Sequence, residues 1–170
     1  RDHRLRRESS ATLGSAEQLN GRDTHLLAVG INSGYGEWSD LSFAVRDTRR
    51  VVNAFRDFGY TATLLEHGDA TKSAILNALR ECSLGTNSES ELVFYFAGHG
   101  VTDSTDRRAI VVSGEDGSFE FLRMGEILSA LADHEGSITV VSDACLSRRD
   151  FVLPSDSRTG SNATFMFACR

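Results

Sequence analysis

A chain of 170 residues, of which 40% are hydrophobic, is long enough for one domain with a sizeable core. Its formal net charge is -6, and basic and acidic residues are mixed along most of its length, which excludes the basic stripe that nucleic-acid binding requires. The apolar runs are strand-sized and the first residues hold no apolar signal core, so the sequence predicts neither a membrane span nor a secretory peptide. The cysteines at 82, 145 and 169 are widely spaced, which favours a reduced, cytoplasmic protein over a disulfide framework.

The predicted elements alternate along the chain between strands and helices. Residues 1–22 are polar and rich in arginine, serine and glycine, which predicts a flexible leader. Then follow a buried strand (25–31), a helix from Ser42 that Gly59 ends, a strand (60–65), a helix capped by Asp69 or Thr71, and a wholly apolar strand (92–96). The remainder predicts a hairpin strand (108–113), a helix that ends near Gly136, a strand (137–143) and a last strand from Ala163.

This order of elements predicts an α/β fold, with a mostly parallel central sheet and helices on both faces. Residues 92–96 show no polar alternation, as is typical of a central strand buried on both faces. That strand leads into a histidine between glycines, His99, and the strand at 137–143 leads into Cys145. Because open α/β sheets carry their chemistry in the crevice beyond the strand ends, we expect His99 and Cys145 to face the same crevice.

A thiol paired with an imidazole is suited to nucleophilic catalysis. Cysteine attacks as the thiolate, and His99 is the candidate base for Cys145. The N–H groups of Gly100 and of Cys145 itself are candidate donors to an oxyanion. Each residue also has a simpler interpretation, since a histidine between glycines is more often a turn residue and a cysteine after a strand is more often packing. A zinc site is disfavoured, because the sequence has no Cys-x-x-Cys or His-x-x-x-His spacing.

Two motifs resemble those of a known family. The residues Tyr-Phe-Ala-Gly-His-Gly at 95–100 resemble the histidine motif of the caspase-like clan of cysteine peptidases, above all its metacaspase, paracaspase and bacterial orthocaspase branches. Asp-Ala-Cys-Leu-Ser at 143–147 resembles the clan's Asp-x-Cys-His-Ser motif, and Cys145 follows His99 by 46 positions, near the roughly 50 expected. Residues 29–32 and 41–47 resemble the first strand and the opening of the first helix. The resemblance implies a caspase-like three-layer sandwich over residues 23–170, as the large segment of such an enzyme.

The resemblance also implies a role for each site residue. His99 is the implied general acid and base, Cys145 the nucleophile, and Gly100 with Cys145 the oxyanion hole. Asp47 and Asp143 are the implied lining of the S1 pocket, which receives the residue before the cleaved bond. A carboxylate pair binds a guanidinium and repels an aspartate, so the implied activity is an endopeptidase that cuts after Arg or Lys. The alternatives are an acid favoured by the helix dipole for Asp47 and a strand-end cap for Asp143.

Two positions depart from the family pattern. Leu146 stands where a histidine commonly follows the cysteine, and Arg148 stands where a glycine is usual. These departures leave open a catalytically silent, caspase-like scaffold or interaction domain. A hydrolase of another kind on a doubly wound sheet is disfavoured, because the sequence has no Gly-x-Ser-x-Gly elbow.

The resemblance further bears on partners and cofactors. Family members consist of a large and a small segment, often separated by self-cleavage, so we expect protein or peptide substrates and a small (p10-like) segment as partners. We expect neither nucleic acid nor membrane. The candidate self-cleavage sites are Arg148, Arg149, Arg158 and Arg170. Many metacaspases bind calcium, but the acids after the histidine motif form no run of alternating ligands, so the sequence predicts no metal and no cofactor. These acids are Asp103, Asp106, Glu115 and Asp116.

Overall fold

The computed structural model describes residues 23–102, 108–144 and 162–167. In these ranges the strands are β1 (Thr24–Gly30), β2 (Thr61–Glu66), β3 (Glu91–Ala97), β4 (Gly100–Thr102), β5 (Arg108–Ser113), β6 (Phe119–Arg123), β7 (Ser137–Asp143) and β8 (Ala163–Phe167). The α-helices are α1 (Ala44–Asp57), α2 (Lys72–Glu81) and α3 (Met124–Ala130), and a 3-10 turn spans His67–Asp69. No helix in this part of the chain is long and apolar enough to cross a membrane. The predicted leader, residues 1–22, lies outside the described residues.

The central sheet has the strand order β2-β1-β3-β7-β8, and each neighbouring pair in it is parallel. Helix α1 connects β1 to β2, and α2 connects β2 to β3. The connection from β3 to β7 contains a small antiparallel sheet, β4-β5-β6, followed by α3. The predicted α/β fold with a mostly parallel central sheet is therefore confirmed.

Apolar side chains cover both faces of the central sheet, because successive residues of a strand point to opposite sides. On one face, Leu26 and Tyr95 belong to a cluster that includes Val52 of α1. On the other face, Leu27 and Phe96 belong to a larger cluster that includes residues of α2, α3 and the small sheet. Burial on both faces explains why β3 shows no polar alternation in sequence.

The ends of the helices differ in detail from the prediction. Helix α1 ends at Asp57, shortly before Gly59, whose φ of 92° is one that glycine adopts without strain. Thr71, and not Asp69, caps α2, since its hydroxyl accepts the Ala74 N–H at 3.2 Å. Helix α3 ends at Ala130, well before Gly136, because the Leu131 N–H is shared between two carbonyls and tightens the last turn.

Two strands of the small sheet were not specified by the sequence. Strand β4 directly follows His99. It has only three residues, so it is too short to show an alternation of apolar and polar side chains. Strand β6 alternates Phe119 and Phe121 with other residues, but it runs into α3 without an intervening turn. The pattern around 108–123 therefore predicts a hairpin without showing where its second strand ends.

His134 is a buried histidine at the amino-terminal end of β7. It is only 8% exposed, and neither of its ring nitrogens has a hydrogen-bond partner among the described residues. Burial lowers the pKa of His134 below its usual value, although backbone groups of Ser137 and Cys82 act in the opposite direction. Burial therefore favours the neutral form of this imidazole in the folded protein.

We expect His134 to make stability depend on pH. Its pKa is lower in the folded than in the unfolded state, so the unfolded state binds the proton more readily and the free energy of unfolding falls as pH drops below about 6.5. Urea unfolding of wild type and His134→Gln between about pH 8 and about pH 5 measures this, and the substitution should flatten the decline. His67→Asn, at an exposed turn, is the control. An equally steep decline in His134→Gln would contradict the assignment.

Candidate active site

His99 lies in the turn between β3 and β4, with its ring partly exposed. Its Nε2 atom is 3.0 Å from the carbonyl oxygen of Ser39. Because a carbonyl oxygen can only accept, Nε2 carries the hydrogen and Nδ1 remains as the nitrogen that can take a proton. The imidazole also stacks on Trp38, with ring centroids 5.8 Å apart and planes 29° from parallel. The loop after β1 therefore fixes both the orientation and the tautomer of His99.

The backbone of the histidine turn is tied to its neighbours on two sides. The Gly98 N–H donates to the Asp143 carbonyl at 3.4 Å, which links this turn to the end of β7. The Val111 N–H donates to the His99 carbonyl at 2.9 Å, which links it to β5. A Cβ atom on Gly98 would lie 2.6 Å from the Phe96 ring, so only glycine fits this position without movement.

The Gly100 N–H points away from its partner strand. Gly100 lies opposite Ile110 in the β4-β5 ladder, and the flanking bond runs from the Val111 N–H to the His99 carbonyl. That arrangement makes the Gly100–Ile110 pair a non-hydrogen-bonded one, whose own N–H groups face outward. The Gly100 N–H therefore takes no part in the β4-β5 ladder, which an oxyanion donor also requires.

Asp47 and Asp143 line one cavity of about 320 Å³. Asp47 stands in the first turn of α1, as predicted, and Asp143 is the last residue of β7. The other lining residues come from the loop before α1 and from the two strand ends: Asp40, Leu41, Ser42, Phe43, Ala44, Ala97, Gly98 and Ala144. The sheet and α1 thus bring together two acids that are far apart in the sequence.

The Asp47 carboxylate is engaged by arginines of its own helix. Arg46 Nε lies 3.2 Å and an Arg50 terminal nitrogen 3.4 Å from its Oδ1 atom. The side chains are 39% exposed for Asp47, 51% for Arg46 and 69% for Arg50. Exposed ion pairs of this kind contribute only about 0–1 kcal/mol, so an incoming cation can replace them.

Tyr95 lies beneath the acids on the same face of the sheet. Burial, and then the negative charges of Asp143 and Asp47, raise the pKa of Tyr95 to about 12. Tyr95 pairs with Val141 and lies two residues before Ala97, which pairs with Asp143. The available sequence signal was the tyrosine hydroxyl in an otherwise apolar strand, two residues before Ala97 and so on the same face. No role was predicted for Tyr95.

The contribution of the loop after β1 to the site was not predicted from the sequence. Trp38 and the Ser39 carbonyl contact His99, and Asp40 lines the acidic cavity. A Cβ on Gly34 would lie 1.9 Å from the Trp38 carbonyl oxygen, so this loop closes on itself through a glycine. The glycines at 34 and 36 were the available signal, although a backbone carbonyl contact leaves no mark in the side-chain pattern.

Several of the predicted residues lie outside the described part of the chain. Cys145 directly follows Ala144 in sequence and is one of them. The others are Asp103, Asp106, Leu146, Arg148, Arg149, Arg158 and Arg170. Of the acids considered for calcium, Glu115 accepts a hydrogen bond from Ser73, and Asp116 accepts one from Ser118 in the hairpin turn.

Comparisons with known proteins agree with this architecture. The family model for the caspase domain matches residues 25–167. Among solved structures, protein GSU0716 from Geobacter sulfurreducens has a similar fold, with a TM-score of 0.63 and 20% identity over 72% of this chain. The match covers 50% of that protein, so this chain spans about half its length. No curated protein matches the sequence. Since the family model covers most of its length, the chain belongs to the caspase-domain family of cysteine peptidases.

Proposed function

We propose that this protein is a cysteine endopeptidase that cuts after arginine or lysine, with His99 and Cys145 as its catalytic pair. One observation carries the proposal. Asp47 and Asp143 line a single cavity, and that cavity also includes the residues directly before His99 and Cys145. An acidic cavity beside the reacting groups suits a basic side chain on the residue before the cleaved bond.

The charges around the cavity support a basic substrate. Both carboxylates are exposed to solvent in the free protein, and a bound guanidinium would displace the arginines beside Asp47 and exclude water from the pair. With its high pKa, Tyr95 stays protonated beneath them and adds no negative charge of its own. An aspartate side chain would meet two like charges in the same space, which is unfavourable.

The proposed reaction uses the free nitrogen of His99. Nδ1 takes the proton of the Cys145 thiol, and the sulfur attacks the substrate carbonyl carbon to form a C–S bond. The oxyanion that develops accepts the N–H groups of Gly100 and Cys145. His99 then gives its proton to the leaving amine as the C–N bond breaks. Water attacks the resulting thioester while His99 takes a proton from that water. His99 then returns the proton to the Cys145 sulfur as the C–S bond breaks and the carboxylic acid product leaves. Throughout, the Ser39 carbonyl accepts the Nε2–H and keeps the ring in the same orientation.

The test compares fluorogenic peptides that differ only in a terminal Arg, Lys or Asp. We expect turnover after Arg and Lys, none after Asp, and none with any peptide for Cys145→Ala. Replacing one carboxylate, in Asp143→Asn, removes a charged hydrogen-bond acceptor and should lower kcat/KM for the Arg peptide by about 10- to 100-fold. Asp57→Asn, at the other end of α1, is the matched control and should not change it.

The remaining outcomes separate the alternatives. Turnover after Asp would retain the peptidase and reject the acidic pocket. Absence of turnover with every peptide, with and without calcium, would favour the silent scaffold. We also propose regulation by self-cleavage at Arg148, Arg149, Arg158 or Arg170, with a small segment completing the enzyme in the cytoplasm. Mass spectrometry of wild type beside Cys145→Ala tests the cleavage, and identical fragments from both would reject it.

A further inference from the structure

The acidic cavity and His99 would contact different parts of a substrate: the residue before the cleaved bond and the residue after it. In the proposed function, on which this inference rests, the side chain before the cleaved bond enters the cavity of Asp47 and Asp143. His99 must reach the nitrogen of the leaving amine to protonate it. The residue that carries this nitrogen therefore lies against the His99 imidazole and against whatever packs on that ring.

An aromatic surface packs on that ring. Trp38 stacks on His99, and Phe119 contacts Trp38 edge-on with ring centroids 5.2 Å apart. Phe121 and Tyr35 extend the surface, at 5.4 Å and 6.1 Å from the Phe119 centroid. All four of these rings are partly exposed, and none of them lines the acidic cavity.

The small sheet presents this surface outward from the core. Phe119 and Phe121 are two residues apart in β6 and so share one face, whereas Leu122 on the opposite face is fully buried in the core. The charged Glu120 alternates away from the phenylalanines. The surface that the four rings form is therefore apolar, in contrast to the acidic cavity.

We propose that Trp38 and Phe119 form the subsite for the residue after the cleaved bond, and that this subsite selects a large apolar side chain. Holding His99 needs only the Trp38 stack and the Ser39 carbonyl, since Phe119 has no ring contact with the imidazole among the described residues. Phe119 instead widens the apolar surface beyond the histidine. A substrate side chain that lies on it buries aromatic area from water.

The kinetic test uses internally quenched peptides that are identical up to the arginine and continue with Phe or Gly. Wild type should prefer Phe, and Phe119→Ala should lower kcat/KM for the Phe peptide by about tenfold while sparing the Gly peptide and an arginyl coumarin. Phe58→Ala removes a ring that is 52% exposed at the end of α1, and it should change nothing. An equal loss on all substrates would show that Phe119 only positions the histidine, and would overturn the proposal.

Peptide binding to the subsite can also be measured without turnover. Trp38 is the only tryptophan in the chain, so its fluorescence reports on this surface. In Cys145→Ala, the Arg-Phe peptide should shift the emission and the Arg-Gly peptide should shift it far less. If wild type cleaves nothing but this difference persists, the proposed function fails and the subsite stands as a peptide-binding surface. If wild type cleaves without a preference and the emission does not respond, the subsite is wrong and the proposed function stands.

Discussion

Replacement of His99 by alanine is expected to lower kcat for cleavage after arginine by about 10²- to 10⁴-fold, because the thiol and the leaving amine both lose their proton-transfer partner. KM should change little, since the imidazole is not among the residues that line the acidic cavity. Ser39→Ala is the matched control, because it removes the side chain but keeps the carbonyl that orients the ring.

A second readout distinguishes loss of the base from general damage to the site. Without His99, the Cys145 thiolate should be less populated and its alkylation by iodoacetamide slower. Mass spectrometry separates this residue from Cys82, whose partial burial raises the pKa of its thiol and so slows its alkylation. Unchanged alkylation together with a kcat within tenfold of wild type would show that another group acts as the base.

Phe96→Ala is expected to lower the free energy of unfolding by about 3–5 kcal/mol, the range for emptying a phenylalanine site in a packed core. The ring has no exposed surface, and it lies in the central strand of the sheet. It also packs under Gly98, so its loss leaves a void directly beneath the histidine turn. Urea unfolding measures the change.

A conservative substitution of Phe96 distinguishes the effect of lost side-chain volume from the effect of losing the aromatic ring. Phe96→Leu retains most of the apolar volume and should cost much less than the alanine variant, on the order of 1.5 kcal/mol. At low denaturant, Phe96→Ala should also have a reduced kcat, because the turn that holds His99 loses its support. A loss below about 1 kcal/mol in Phe96→Ala would mean that the core refills the void.

The sequence predicted best those parts of the fold whose residues are buried on both faces. Strands β1 and β3 contain unbroken apolar runs because helices cover both sides of the sheet. The motifs after β3 and β7 predict a site there, and the structure places Asp47 and Asp143 in the lining of one cavity. That this cavity is the S1 pocket, and what it binds, remain predictions.

The parts that the sequence did not predict depend on backbone contacts and on packing between distant segments. The Ser39 carbonyl holds His99, and any residue at position 39 would present the same oxygen. Trp38 meets Phe119 across 81 positions, and neither residue lies in a motif. Tyr95 was visible in the strand pattern, but its effect depends on the two acids that fold over it.

The parallel strand order determines when the acidic cavity can exist during synthesis. Asp143 can lie beside Asp47 only when β7 is paired with β3 and β3 is paired with β1. Parallel pairings require long loops to close first and so form late in folding. A nascent chain that has not yet released β7 from the ribosome lacks both Cys145 and one of the two acids. The proposed peptidase activity therefore cannot begin before β7 has emerged from the ribosome.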